Sequence, residues 1–243
     1  MIAYLRFLSG RERTREANRH LGMTLAFVAG AVNAGGFLAV GQYTSHMTGV
    51  LSSIADNLAL SQFRLTLAGL AALAAFLCGA GTSAVLINWT RRQGLHSQYA
   101  SSLMLEAGLL LAFGLLGANL SAVGSVFVPA TVLLLCYMMG LQNAIITKLS
   151  DAEIRTTHMT GNATDLGIEL GKLLYWNRGA EESPKVLANR DKLRIHGRLI
   201  GLFVLGGFAG AHAFKRLGFA ATIPLAVLLF AVAAVPVLDD LSA

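Results

Sequence analysis

Six long apolar stretches divide this chain, and they restrict its fold more than any other feature of the sequence. Each is long enough, or nearly long enough, to cross a hydrocarbon core of about 30 Å. They are Leu21–Gly41, Leu65–Asn88, Leu103–Leu120, Val126–Ile146, Leu199–Phe214 and Phe219–Leu238. The fifth is short and needs residues from Leu193–Arg198 to span. The first lacks a small-residue cleavage site, so we expect it to be retained as a span.

The composition favours a membrane protein over a soluble domain. Hydrophobic residues make up 55% of the chain and charged residues only 13%, whereas soluble domains carry about 25% charged residues. The sequence therefore predicts an all-α polytopic membrane protein with about six transmembrane helices. Both cysteines, Cys78 and Cys136, fall inside predicted spans. We interpret them as small apolar packing residues and not as a disulfide or metal pair.

The basic residues indicate an orientation for these spans. Lys and Arg are enriched in the short loops that face the cytoplasm. With the amino terminus inside, 16 Lys and Arg residues lie on the cytoplasmic side, against Arg64, Lys215 and Arg216 outside. We therefore expect both termini in the cytoplasm. Topology alone accounts for the formal net charge of +6, so the expected partner is the lipid bilayer and not a nucleic acid.

The segment His-Met-Thr-Gly occurs twice, at His46–Gly49 and His158–Gly161, 112 residues apart. Each copy follows a span that carries an asparagine, Asn33 or Asn143. We therefore divide the chain into a basic amino-terminal segment (1–20) and two three-span repeats (21–125 and 126–243), the second containing a basic cytoplasmic loop at 176–198. Because three is odd, the second repeat would begin on the opposite side of the membrane. This predicts an inverted repeat, as in many secondary transporters.

A short apolar stretch follows each His-Met-Thr-Gly segment, and we predict that it is helical but does not span. The stretches are Thr48–Leu60 and Thr160–Tyr175. Thr48 and Thr160 are the candidate N-caps, with Gly49 and Gly161 at the helix starts. Two interpretations remain open. The helix is either re-entrant at membrane depth, where its N-terminus would attract an anion, or amphipathic and at the interface.

Polar groups on and near the spans supply a candidate solute site. Asp56 follows the first copy of the motif. Asp165 and Glu169 lie four residues apart on the second predicted short helix. Such carboxylates near a histidine can share a proton or hold a small cation, although a helix face wetted by the cytoplasm fits equally well. The candidate substrate-binding residues are Asn33, His46, Thr48, Gly49, Asp56, Gln142, Asn143, His158, Thr160, Gly161, Asn162, Asp165 and Glu169.

Other polar residues have simpler interpretations. Asn33, Gln142 and Asn143 fit hydrogen bonding between helices as well as they fit ligand contact. Glu106, at the start of the third span, is expected to reach the headgroups. The sequence shows no metal-ligand spacing of the HExxH kind, no nucleotide loop and no GxSxG or cysteine motif. We therefore expect no enzymatic activity, no metal and no cofactor.

The two motif regions resemble a known family. "AGAVNAGGF" with "SHMTGV", and "GLQNAI" with "TTHMTGN", are similar to the YoaK-type family of bacterial inner-membrane proteins, over about residues 20 to 238. The resemblance implies a multi-pass protein of the bacterial cytoplasmic membrane. The family pattern has an acidic residue in place of Asn33 and an Asn in place of Val50, so the second copy here keeps more polar chemistry.

Two classes of function fit these observations. The first is a secondary transporter or permease for a small polar or anionic solute. The second is a non-transporting membrane protein, an assembly factor or sensor, whose basic loop at 176–198 binds a partner or anionic lipid. Assembly into a homo-oligomer is compatible with both.

Overall fold

The computed structural model describes residues 2–11, 13–118, 124–150, 154–177 and 185–242. All regular structure within these residues is helical, as the composition predicted. The α-helices are α1 (Ile2–Ser9), α2 (Arg15–Val40), α3 (Met47–Ala59), α4 (Phe63–Arg92), α5 (Ala100–Ala118), α6 (Gly124–Leu149), α7 (Met159–Leu174), α8 (Arg190–Leu217) and α9 (Thr222–Leu241). A 3-10 turn at Gly218–Ala221 joins α8 to α9.

Four helical stretches among the described residues are long and apolar enough to cross a membrane. They are Arg15–Val40, Phe63–Arg92, Val128–Leu149 and Arg190–Leu241, the last of which contains both α8 and α9. Ala100–Leu115, within α5, is a shorter apolar helix. The fifth predicted span does extend toward its amino terminus, since α8 begins at Arg190 and has 28 residues.

Glycines allow α2 and α8 to pack with their backbones in contact. A Cβ on Gly206 of α8 would overlap the carbonyl oxygen of Phe27 in α2. A Cβ on Gly30 of α2 would in turn overlap the carbonyl oxygen of Phe203 in α8. Small residues at such crossings are the usual way for membrane helices to approach closely. Further along, Gly35 faces the ring of Phe214, so the two helices run parallel.

The α4–α6 pair uses the same device. A Cβ on Gly79 of α4 would overlap the carbonyl oxygen of Tyr137, and one on Gly140 of α6 would overlap that of Phe76. The fully buried Met138, Leu141 and Ile145 of α6 belong to the apolar core around this pair. Cys136 is buried while Cys78 is exposed, and both thiols are free.

The third long pair, α5 and α9, runs antiparallel. Near one end, a Cβ on Gly114 of α5 would meet the Thr222 hydroxyl at the start of α9. Near the other end, Asp240 of α9 accepts hydrogen bonds from the backbone N–H groups of His96 (2.6 Å) and Ser97 (2.9 Å), just before α5. The helix α1 packs against this part of α9, because Arg6 pairs with Asp239 at 2.6 Å and the Ser9 hydroxyl donates to the Val232 carbonyl at 2.7 Å.

The short helices α3 and α7 each fold back on the first turns of the long helix that follows. Gly69 of α4 faces Ile54 of α3. Glu169 of α7 meets the backbone N–H of Asn189, the residue that caps α8. The predicted N-caps are wrong by two residues, because His46 and His158 occupy the cap positions, and neither side chain makes a capping hydrogen bond. Thr48 and Thr160 are already helical.

Candidate functional site

Each His-Met-Thr-Gly loop is tied to an asparagine on the preceding long helix. In the first copy the Ser45 hydroxyl donates to Asn33 Oδ1 at 3.0 Å. In the second copy the Thr157 hydroxyl donates to Asn143 Oδ1 at 2.6 Å. These residues occupy equivalent places in the two copies, directly before the histidines. These bonds to the residue directly before each histidine were not predicted from the sequence.

The asparagines lie well inside their helices, so the loops return along the bundle. Asn33 lies seven residues before the end of α2, and Asn143 lies six residues before the end of α6. At 1.5 Å per residue, each loop therefore folds back by about 10 Å. The short helices α3 and α7 accordingly begin beside the long helices, and not beyond their ends.

The threonine that opens each motif region is buried with an unbonded hydroxyl. Thr44 is 1% exposed and Thr156 is fully buried. Neither Oγ1 atom has a hydrogen-bond partner among the described residues. A buried hydroxyl without a hydrogen-bond partner reduces the stability of the fold. We infer that the backbone conformation of each loop holds these threonines in place despite that cost.

Gln142 connects two helices. Its Nε2 donates to the carbonyl oxygen of Leu25 in α2 at 2.7 Å, and the residue is fully buried. The neighbouring Asn143 also donates from Nδ2 to the Met139 carbonyl at 2.7 Å. The Gln142 bond joins α6 to α2, whereas the Asn143 bond to Met139 lies within α6. Gln142 Oε1 has no partner within the described residues.

The first-copy residues after the loop face outward. No residue of α3 is buried, and His46, Thr48 and Asp56 are exposed. Gly49 packs under the imidazole of His46, since a Cβ there would lie 2.5 Å from Nδ1. This copy therefore presents polar groups on the outside of the bundle.

The second copy encloses its polar groups instead. Asn162 is 1% exposed. Its Nδ2 donates to the Arg155 carbonyl at 2.7 Å, and its Oδ1 lies 3.2 Å from His196 Nδ1 on α8. Asp165 Oδ2 lies 3.9 Å from the other ring nitrogen of His196. Sequence analysis missed His196, whose only signal was its spacing three residues before Leu199 on the same buried helix face.

A pocket of about 200 Å³ opens next to these groups. Three elements and one loop contribute to it: α2, the loop before α7, α7 itself and α8. Its polar lining consists of Arg19, Arg155, Asn162, Asp165, Lys192 and His196, with two isoleucines. The pocket thus includes Asn162 and Asp165 from the predicted site and four basic residues that the sequence did not single out.

Glu169 is engaged elsewhere. The side chain is 4% exposed and accepts a hydrogen bond from Lys172 Nζ at 2.8 Å. Its other oxygen accepts from the Asn189 backbone N–H at 2.6 Å. These bonds, that from Lys172 first, lower the pKa of the carboxyl. Asp165 and Glu169 therefore contact different partners despite their spacing of four residues.

His158 and Arg155 lie at the start of α7. Partial burial and the positive charge of Arg155 lower the pKa of the exposed His158 imidazole. A Cβ on Gly161 would lie 3.1 Å from Arg155 Nη1, so the guanidinium lies over the first turn of the helix. Thr160, in the same turn, is exposed.

Glu106 does not reach the headgroups, and that expectation is wrong. The residue is fully buried in α5, and neither carboxylate oxygen has a hydrogen-bond partner among the described residues. Its position is fixed by the packing of α5 against neighbouring helices, which sequence position alone does not show. The described residues include no cluster of three or more His, Cys, Asp or Glu side chains able to hold a metal ion.

Comparisons with known proteins identify a family of membrane proteins. The family model described as "Protein of unknown function (DUF1275)" matches residues 21–235. The "UPF0700 transmembrane protein YoaK" of Bacillus subtilis (strain 168) is 27% identical over 157 residues, which is 63% of this chain and 68% of that protein. No solved structure matches the chain significantly. The family match extends over both loop–helix units and all the long helices, and the chain is therefore a membrane protein of the DUF1275 family.

Proposed function

We propose that this protein is a secondary transporter or permease for a small anionic solute, built from two inverted three-helix repeats with both termini in the cytoplasm. The observation that carries the proposal is the equivalence of the two loop–helix units. Each has an asparagine bonded to the hydroxyl before the histidine, at 3.0 Å in one copy and 2.6 Å in the other. Paired units of this kind frame the solute site of many inverted-repeat transporters.

The glycine contacts support the repeat independently of the motif. If the two repeats are equivalent, α2 corresponds to α6 and α8 corresponds to α4, so the α2–α8 contact corresponds to the α6–α4 contact. Gly30 then corresponds to Gly140, and Gly206 corresponds to Gly79, each with its Cβ position blocked by a carbonyl oxygen of the partner helix. A two-fold relation between the repeats accounts for all four glycines.

Helix directions support six crossings. The α2 and α8 helices run parallel, as the first and fifth of six alternating spans must. The α5 and α9 helices run antiparallel, as the third and sixth must. With the basic amino-terminal segment in the cytoplasm, the first loop–helix unit would enter from outside and the second from the cytoplasm.

The return of each loop along its helix favours the re-entrant interpretation. A loop tied to Asn33 or Asn143 starts its short helix about 10 Å inside the end of the long helix. An interfacial helix would start level with that end. Irregular backbone at membrane depth is tolerated where protein covers it, which suits the burial of Thr44 and Thr156.

Uptake by proteoliposomes tests the proposal. Purified protein would be reconstituted and offered labelled phosphate, sulfate and acetate. We expect at least one anion to accumulate, and we expect Thr160→Ala with Asn162→Ala to abolish its uptake. Thr164→Ala is the matched control, because Thr164 is an exposed threonine of the same helix whose hydroxyl, among the described residues, bonds only to the Thr160 carbonyl. Uptake that is indifferent to the double substitution would exclude this site.

A further inference from the structure

The pocket at the start of α7 concentrates positive charge. Arg19 of α2, Arg155 of the preceding loop and Lys192 of α8 all line it, and among the described lining residues only Asp165 carries a carboxylate. Within the described residues, Arg19 and Arg155 have no ion-pair partner. Cations brought together from three segments repel one another unless an anion lies between them.

The local backbone adds to this charge. The N-terminus of a helix carries partial positive charge and unpaired N–H groups. The N-cap residue His158 makes no side-chain capping hydrogen bond, and the guanidinium of Arg155 lies over the first turn of α7, at Gly161. A bound anion would be stabilised by the guanidinium and the helix terminus together.

His196 indicates which anion fits. Its side chain is 8% exposed and lines the pocket. Asn162 Nδ2 is committed to the Arg155 carbonyl, so Asn162 Oδ1 accepts from His196 Nδ1–H. In the neutral ring Nε2 is then an acceptor. Asp165 Oδ2 lies 3.9 Å from Nε2, and it is also an acceptor and too distant for a hydrogen bond.

The pocket thus combines cationic side chains with two hydrogen-bond acceptors, His196 Nε2 and the Asp165 carboxylate. An anion that also carries a proton would satisfy both kinds of group. We infer that this pocket binds a hydrogen phosphate group, as free phosphate or as a phosphomonoester. Its unprotonated oxygens would contact Arg19, Arg155 and Lys192, while its hydroxyl would donate to His196 Nε2 or Asp165. Sulfate and phosphodiesters have no such hydroxyl at neutral pH, whereas a phosphomonoester, with a second pKa of about 6, keeps one in its monoanionic fraction. A volume of about 200 Å³ accommodates a tetrahedral oxyanion with a few waters, each needing about 30 Å³.

This inference builds on the proposed function, because Asn162 and Asp165 belong to the proposed solute site, but its test measures binding and not transport. Calorimetry on the full chain in neutral maltoside detergent would titrate potassium phosphate and, separately, potassium sulfate at about pH 7. We expect phosphate to bind about tenfold more tightly than sulfate, a difference that one good hydrogen bond supplies. Absence of phosphate binding, or equal affinity for both anions, would overturn the inference even if transport were observed.

Arg155→Gln removes the guanidinium, and we expect it to weaken phosphate binding at least about tenfold. Arg155→Lys keeps the charge but loses the planar, two-pronged hydrogen-bonding group of arginine. Its phosphate affinity should therefore lie between those of the wild type and Arg155→Gln. The control is Arg194→Gln, which also removes one positive charge, here from the beginning of α8, but Arg194 does not line the pocket and is 67% exposed. Equal loss in Arg155→Gln and Arg194→Gln would show a general surface charge effect and overturn the site.

Asp165→Asn separates a hydrogen phosphate site from a simple cationic patch. The amide still has an acceptor oxygen but removes the negative charge that excludes sulfate, so the preference for phosphate over sulfate should narrow. A cationic patch would instead bind both anions more tightly by the same factor, which would contradict the inference. Thermal unfolding of every variant would confirm that it is folded.

Competition experiments with lipids would show whether the phosphate group belongs to a lipid or to a soluble molecule. Nanodiscs of phosphatidylcholine would be compared with nanodiscs that also contain phosphatidic acid, a phosphomonoester lipid, or phosphatidylglycerol, a phosphodiester lipid. Competition of phosphatidic acid alone with phosphate would assign a lipid source, and absence of competition from either lipid would assign a soluble one. Equal competition from phosphatidylglycerol would contradict the requirement for a proton on the ligand.

Discussion

The hydroxyl of Thr157 donates a 2.6 Å hydrogen bond to the side-chain oxygen of Asn143, and Ser45 makes the same bond to Asn33 at 3.0 Å. These two bonds hold each His-Met-Thr-Gly loop against the preceding long helix. The asparagines, and not the histidines, therefore position the two short helices. Because both bonds precede the motif, they explain why each copy keeps a hydroxyl residue directly before its histidine.

Thr157→Val should loosen the start of α7. Valine keeps the shape of threonine but leaves Asn143 Oδ1 without its donor, at a cost of about 1–2 kcal/mol in the free energy of unfolding. The measurement is thermal unfolding in detergent, together with hydrogen exchange at the first amides of α7. Thr164→Val is the control, since Thr164 is exposed and, in the described part of the chain, bonds only within α7. Equal protection of those amides in both variants would contradict the anchoring role.

Gly79→Ala should destabilise the α4–α6 pair, because the new Cβ would overlap the Tyr137 carbonyl oxygen. Overpacking of this kind costs about 1–3 kcal/mol. Gly81→Ala is the control two residues away on the same helix, where a Cβ meets nothing within 4 Å. It should stabilise the helix by about 0.5–1 kcal/mol. Melting temperatures of the two variants should therefore move in opposite directions, and a shared direction would argue against this crossing.

Glu106→Gln should leave the fold intact or make it more stable. Neither carboxylate oxygen of Glu106 has a partner among the described residues, and a charged group within a span costs about 2.5–3.5 kcal/mol. The amide keeps the shape and cannot ionise. Thermal unfolding compares it with Glu16→Gln, a change at an exposed glutamate of α2. Destabilisation by Glu106→Gln alone would indicate that the carboxyl is ionised and stabilised in the folded protein.

Acid should weaken the contact between α7 and α8 through Glu169. Its folded-state pKa is lowered by the hydrogen bonds from Lys172 and Asn189. The resulting stability is therefore present above the unfolded pKa of about 4.5 and is lost as the pH falls through the lower folded pKa. Glu169→Gln should remove this part of the pH dependence, measured as melting temperature between about pH 7 and about pH 3.

The control for this acid effect is Asp191→Asn. Asp191 and Arg194 form an ion pair at 3.8 Å in which both side chains are 67% exposed. Exposed pairs contribute little to stability, so the pH profile of this variant should follow that of the wild type. A profile of Glu169→Gln that also follows the wild type would show that Glu169 does not link the two helices.

Cysteine labelling should place the two short helices on opposite sides of the membrane. Thr48→Cys and Thr160→Cys, both at exposed positions, would be made after replacing Cys78 and Cys136 with alanine. In intact spheroplasts a membrane-impermeant maleimide should label position 48, whereas position 160 should react only after permeabilisation. Arg11→Cys, in the basic amino-terminal segment, reports the cytoplasmic side. Labelling of both threonine positions from one side would exclude the inverted repeat.

Local patterns predicted the helices more reliably than their contacts. The apolar runs predicted the long helices because a hydrocarbon core demands continuous apolar length, and the start of α8 at Arg190 met the need for extra residues. The predicted N-caps missed by two residues. Thr48 and Thr160 are good capping types, but the bonds from Ser45 and Thr157 start the helices at the histidines.

The sequence by itself determined that this chain is helical, apolar and carries the His-Met-Thr-Gly segment twice, since these properties depend on composition and on order along the chain. Only the tertiary structure decided which polar groups meet. Asp165 and Glu169 are four residues apart, yet one faces His196 and the other is bonded to Lys172 and Asn189. Arg19, Arg155 and Lys192 are distant in sequence, yet they line one pocket. Such meetings depend on how α7 folds back on α8 and on how α2 packs beside it, and local residue patterns carry no information on distances between separate helices.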